Sequence, residues 1–311
     1  MFKPFLFFVG LIGLASPVAA QPLAYVANEK LASLSVIDTA SHTVVGEIPA
    51  GLRPRGIAGR EGWVYLSDGK TGRLLAVDVA RRVVAREVAI GNSPEGVSVS
   101  PDGRWLAVAV EDDNSVVLLD RQRLAVVARI KVSGRNPEHA VFSPDGRWLL
   151  VSAEEAEQVD VIDLKRRRQV SSIAVGQRPR GIGFLPDGRL AYVACELAGK
   201  VFAIDMARQA VVAEIAAGQF PNGVAVHPNG RQVFVSNGRD ATVMAIDTAT
   251  QQVVGQVAVG KRPWNMAITS DGRHLYVANG RSGTVSVIET DSLQAVAELA
   301  VGELPWGVTM P

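Results

Sequence analysis

The sequence predicts an all-β fold, a seven-bladed β-propeller with four antiparallel strands per blade. A proline, followed two residues later by glycine in most copies, recurs at Pro54, Pro94, Pro137, Pro179, Pro221, Pro263 and Pro305, spaced 40, 43, 42, 42, 42 and 42 residues apart. A repeat near 40 residues is the length of one four-stranded blade. Each unit also divides into four short apolar runs rich in β-branched residues, separated by Gly, Asn and Asp, with no helical period competing. Finally, the first unit lacks an inner strand and the last unit supplies one, as a closed ring requires.

In chain order, Lys3 precedes an apolar run from Phe5 to Ala15, and Val18-Ala19-Ala20 ends the stretch with small residues. Residues 1–20 are read as a cleaved secretory leader, and the run is short against the roughly 20 apolar residues of a spanning helix. No cysteine follows the cleavage position, so no lipid anchor is expected. Residues 21–311 form the propeller, expected to be periplasmic or secreted, with no membrane insertion after leader cleavage.

The propeller opens with Leu23 to Ala27, Leu34 to Ile37 and Val44 to Ile48, which match the second, third and fourth strands of a blade. The missing inner strand is Pro305 to Thr309. Three N-terminal strands and one C-terminal strand are expected to share the last blade and remove an open sheet edge.

Between them the clearest copy runs from 262 to 301: an inner strand after Pro263, an Asp271-Gly272 turn, His274 to Ala278, Asn279-Gly280, Thr284 to Ile288 and an outer strand. The same turn recurs at Asp102-Gly103, Asp145-Gly146, Asp187-Gly188 and, as Asn229-Gly230, in one variant. Asp, Asn and Gly accept the positive φ of tight hairpins. One carboxylate per loop is too few for Ca²⁺. The third strand ends in an acid in all seven units, Asp38, Asp78, Asp120, Asp163, Asp205, Asp247 and Glu289, as expected if each caps the next turn. No metal site is expected.

Composition excludes several functions. Without the leader's Lys3, 31 basic residues balance 31 acidic ones, against the basic surplus of a nucleic-acid binder. Cys195 is the single cysteine, so no internal disulfide forms; it stands where other repeats carry Asn28, Asn237 and Asn279 and reads as a half-buried filler. There is no haem-attachment motif, no redox cysteine pair, no phosphate-cradling glycine loop and no metal-spaced histidine set.

Tyr276-Val277-Ala278-Asn279 followed by Thr284 to Ile288, and Tyr25-Val26-Ala27-Asn28 followed by Ser33 to Asp38, resemble the propeller repeat named for its Tyr-Val-Thr-Asn signature. The resemblance spans residues 21–311. Length, copy number and leader look most like the β-propeller proteins associated with pyrroloquinoline quinone (PQQ)-dependent catabolism. That resemblance implies a context beside quinoprotein alcohol oxidation and an ABC transport system, and it carries no catalytic residues over.

Strand alternation places the fourth-to-first and second-to-third connections on one face, where the former converge on the central channel. The residues after each proline, Arg55, Glu95, Glu138, Arg180, Asn222, Trp264 and Trp306, are expected at its mouth. Trp264 and Trp306, with Arg53, Arg55 and Arg262, suit a planar anion such as PQQ through stacking and paired hydrogen bonds. Loop acids Glu111, Asp112, Asp113, Glu154, Glu155 and Glu157 suit docking of a basic partner such as a c-type cytochrome.

His139 replaces the motif glycine beside Glu138, the one pair resembling catalytic groups. The expected function is a non-enzymatic binding or docking protein, accessory to PQQ-linked alcohol oxidation or its transporter, with a quinoprotein dehydrogenase, c-type cytochrome or ABC transporter component as partner. No covalently bound cofactor is expected. The alternative is a lactonase, since some seven-bladed propellers of similar design hydrolyse lactones.

Overall fold

A computed structural model describes residues 23–311. The leader read at 1–20 lies outside the described residues. Twenty-eight strands form seven four-stranded antiparallel sheets arranged as blades. Blades 1 to 6 run consecutively from Pro54 to Ala300, and within each the strands A, B, C and D pass from the axis outward. Among the described residues no helix is long and apolar enough to cross a membrane.

The inner strands all begin on the repeating proline, for example Pro137–Phe142 in blade 3 and Pro179–Phe184 in blade 4. Strands B and C are buried on both faces because neighbouring blades cover them, so their sequences read as nearly unbroken apolar runs such as Leu190–Cys195. Outer strands alternate exposed and covered residues, as in Ala210–Ala216. The core consists of clusters between adjacent sheets: Leu150, Val159 and Val161 of blade 3 pack with Ile182, Val193 and Phe202 of blade 4.

Blade 7 closes as expected. Strand A, Pro305–Thr309, pairs with Leu23–Asn28 through Tyr25 with Thr309, Val26 with Val308 and Ala27 with Gly307. The capping role of the strand C acids also holds: Asp38 Oδ1 accepts the Ala40 N–H at 2.8 Å, and Asp205 Oδ1 accepts those of Ala207 and Arg208, both at 2.9 Å. Glu289, one methylene longer, accepts the Ser292 hydroxyl at 2.5 Å instead. In the Asp-Gly and Asn-Gly turns the glycines hold φ between 67° and 78°, which a Cβ would disfavour.

One feature was not read in the sequence. Strand B tyrosines bridge to the C–D turn of the next blade: Tyr276 OH lies 2.7 Å from His42 Nδ1, and Tyr192 OH accepts from Gln251 Nε2 at 2.7 Å. Cys195 is a further correction, being 0% exposed, with burial pushing its thiol up to about 12. It sits at the buried end of strand B, where Asn28 and Asn279 instead donate to hydroxyls of strand C.

Candidate functional site

At four of the five motif glycines the neighbouring inner strand comes too close for a side chain. A Cβ at Gly56 would stand 2.1 Å from the Glu95 carbonyl oxygen, and one at Gly223 would stand 2.3 Å from that of Trp264. The residue after each motif proline turns to the mouth of the ring. Four of these residues are ionic, and they join loop residues in one network.

Arg180 of blade 4 is its centre. Its guanidinium pairs with Glu138 at 2.9 Å, with Glu196 at 2.9 Å and with Glu154. Arg178 reaches Glu154 at 3.2 Å and Glu196 at 3.4 Å, and Arg262 crosses from blade 6 to Glu196 at 2.6 Å. On the other side Arg55 pairs with Glu95, and Arg53 pairs with Glu29 at 2.7 Å. Every arginine expected at the mouth thus has a carboxylate partner.

The carboxyl groups are not equivalent. Burial, then the Glu138 charge, pushes Glu95 up to about 9, and Arg55 beside it pulls the other way without reversing this. Burial also opposes charge on Glu138, but Arg180, His139 and Arg55 together hold it at about 2. At neutral pH the two carboxyls therefore share one proton, resident mainly on Glu95, whose Oε2 is buried without a hydrogen-bond partner. Burial and Glu138 push Glu154 up to about 7, against Arg180 and Arg178. Burial likewise opposes charge on Glu196, but Arg180, Arg262 and Arg178 keep it below the usual carboxylate range.

Beneath this network the axis is occupied. His139 and Asn265 stand where the motif has glycine, and both side chains enter the channel. The Asn265 side chain bonds the imidazole, and the His139 ring stacks on Trp306 with centroids 5.7 Å apart and planes 18° apart. Burial lowers the imidazole's affinity for a proton, so His139 is neutral at neutral pH, and its Nδ1 has no hydrogen-bond partner. About 130 Å³ of cavity remains there, lined by His139, Asn265, Trp306 and apolar residues.

A larger cavity, about 590 Å³, opens beside the network on the same face. Glu154 and Arg178 form the part nearest the axis, with Glu111, Arg135 and Asn136 around it. The Arg178 side chain is 41% exposed, so one face of its guanidinium meets the cavity while Nε holds Glu154. A carboxyl that titrates near neutrality beside a fixed guanidinium has the chemistry to exchange a proton next to a group able to hold an oxyanion.

The structure brings Arg55, Glu95, Glu138 and Arg180 together at the mouth, with Asn222 buried at the equivalent place in blade 5. It does not assemble the tryptophan and arginine clamp. Trp306 stacks on His139, Trp264 packs against Gly280, and among the described residues no arginine lies over either ring. The arginines turn to carboxylates because a full opposite charge outweighs a ring face; Arg262 meets Phe220 at 5.3 Å while paired to Glu196. The loop acids also divide: Glu154 is buried in the network, Glu111 accepts the Ser93 hydroxyl at 2.9 Å, Asp113 is half-buried, and Asp112, Glu155 and Glu157 are exposed. Sequence reading missed Glu29, Arg178, Glu196 and Asn265. Each had a signal: Asn265 breaks the proline-glycine motif as His139 does, Arg178 precedes a motif proline as Arg53 and Arg262 do, and Glu29 and Glu196 follow the second strand as Glu111 and Glu154 do.

Among solved structures the chain resembles Kuenenia stuttgartiensis hydrazine synthase, with TM-score 0.79 and 21% identity over 93% of this chain and 100% of that one. A functionally unknown protein from Desulfotomaculum acetoxidans DSM 771 aligns with TM-score 0.80 and 17% identity, over 93% and 98%. The dihydro-heme d1 dehydrogenase NirN, in complex with DHE, aligns with TM-score 0.68 and 20% identity, over 95% and 77%. At these identities the likeness is one of fold. No curated protein matches the chain. The family model for the seven-bladed β-propeller lactonase matches residues 61–171 and 163–306. With both the blades and most of the sequence accounted for by that match, the chain belongs to the seven-bladed β-propeller lactonase family.

Proposed function

We propose that the protein hydrolyses a lactone in the cavity beside the channel mouth, with Glu154 as general base and Arg178 holding the carbonyl oxygen. The observation that carries this reading is Glu154 itself, a carboxyl at about 7 on the wall of an open cavity of about 590 Å³, fixed by Arg178 at 3.2 Å. Glu154 takes a proton from water, and the resulting hydroxide adds to the lactone carbonyl carbon. Arg178 stabilises the oxyanion. Collapse breaks the bond to the ring oxygen, which leaves as an alcohol and receives the proton back from Glu154. Glu138, ionised under Arg180, keeps Glu154 basic enough for this role by raising it. His139 lies deeper, beneath the ionic network, and supports the channel through Trp306 and Asn265.

The test is hydrolysis of a panel of sugar lactones. Glu154→Gln should lower kcat about 10²-fold or more, and kcat for the native protein should rise as pH rises through about 7. No hydrolysis above the uncatalysed rate, or a Glu154→Gln variant as fast as native, would end this reading.

The exposed Asp112, Glu155 and Glu157 favour a second reading, a docking face for a basic partner in periplasmic quinone-linked alcohol oxidation. In that reading PQQ binds by displacing Glu29, Glu95 or Glu196 from Arg53, Arg55 or Arg262. A salt-independent association rate with a c-type cytochrome would count against the docking role.

A further inference from the structure

The face opposite the channel mouth carries a charge pattern that lactone hydrolysis does not use. In blades 2 and 3 the turns on that face, residues 101–104, 120–124, 144–148 and 163–168, hold eight Lys and Arg against four Asp, a formal +4. The mouth-side loops of the same two blades, residues 90–95, 111–114, 132–138 and 154–157, hold eight Asp and Glu against one Arg, a formal −7, of which Glu95 keeps its proton at neutral pH while Glu138 and Glu154 are paired with Arg178 and Arg180 of blade 4. The whole chain has a formal charge of +1. Charge is therefore separated across the thickness of two neighbouring blades.

Side-chain geometry makes the basic face usable. Its four aspartates accept backbone N–H groups of their own turns, Asp102 that of Arg104 at 3.0 Å and Asp145 that of Arg147 at 3.0 Å. Arg121, 10% exposed, is paired with Glu61 of blade 1 at 2.7 Å, and the other cations of these turns stay outside. Arg104 lies over the Trp105 ring at 4.5 Å, Arg147 over Trp148 at 4.4 Å, and Arg167 reaches Trp105 from the next blade at 5.7 Å. Lys165, Arg166, Arg167 and Arg168 are consecutive and exposed, and only Arg166 has an ion pair among the described residues, to Asp163 at 3.3 Å.

We infer that this face docks on an anionic lipid membrane. Cations clustered beside half-buried tryptophans are the composition that seats a protein at the headgroup level. The patch is level, because the strands of blades 2 and 3 all have six or seven residues, and a level surface suits a bilayer better than a nucleic-acid groove, which takes a protruding helix or ribbon. The acidic mouth is repelled by the same lipids, so the dipole sets the orientation and leaves the mouth toward solution.

Co-sedimentation with vesicles of equal parts phosphatidylglycerol and phosphatidylcholine tests it. At low salt the native protein should bind these vesicles and leave pure phosphatidylcholine vesicles free, and high salt should release it. Arg147→Glu with Arg167→Glu should lower the partition coefficient about tenfold or more. Lys165→Gln with Arg168→Gln, which leaves both tryptophan stacks in place, should lower it several-fold with an unchanged melting temperature. Glu155→Gln with Glu157→Gln, on the opposite face, should not weaken binding. Equal binding to neutral vesicles, undiminished binding by the charge variants, or binding to duplex DNA without binding to vesicles would overturn the inference.

Discussion

Glu95 shows how strongly position in the ring changes a residue's chemistry. It is 0% exposed, follows a motif proline and sits between Arg55 and Glu138. Its carboxyl titrates near 4.5 when unperturbed and at about 9 in the ring, so the folded state holds the proton more tightly. The stability this group contributes is complete below about 4.5 and is lost as pH rises toward 9. Urea melts at about pH 5 and about pH 9 should show a smaller fall for Glu95→Gln than for the native protein, and at the higher pH the variant should be more stable by roughly 1–3 kcal/mol. Glu154 belongs to the same proton inventory at a different value, and there the readout is a rate.

The mouth residues were legible at this scale because strand A starts on the proline in every blade, which fixes where the next side chain points. Their partners were not. Arg180 draws Glu154 and Glu196 from second-to-third loops of two blades and indirectly Arg262 from a third, contacts that depend on how the blades pack and not on any local pattern. His42 and His274 are a parallel case: 232 positions apart in the chain, their rings lie 4.8 Å from one another across the last seam.

At the scale of elements, the repeat explains its own signature. The strand B tyrosine is buried among apolar residues, yet its hydroxyl finds a polar group on the next blade's C–D turn, Gln251 for Tyr192 and His42 for Tyr276. Blades are thus joined by a hydrogen bond as well as by packing. Tyr276→Phe keeps the ring and removes the bond, so it should lower stability by roughly 0.5–1.5 kcal/mol, read as a shift of the thermal midpoint. The four strands and their turns were readable because apolar runs and Asp-Gly pairs are local signals. The bridges between blades were not, since donor and acceptor lie one repeat apart with no fixed residue type at the turn.

For the whole molecule, closure is the decisive contact. Residues 304–311 supply strand A of blade 7, and without it Leu23–Asn28 presents an unpaired edge toward the axis while Trp306 no longer supports His139. Deleting them should remove a large part of the ~5–15 kcal/mol that holds a domain together, and should promote association through the freed edge. Urea melts and light scattering of the truncated chain measure both effects, and a midpoint equal to that of the native protein would contradict shared closure.

His139, Asn265 and Trp306 fill the axle of the wheel and leave about 130 Å³ among them, split from the open cavity of about 590 Å³ by paired arginines and carboxylates. The ring is consequently a cup and not a tube. Whatever settles at the acidic rim leaves on the face by which it arrived, and in the proposed hydrolysis the product would compete with the next lactone for that face.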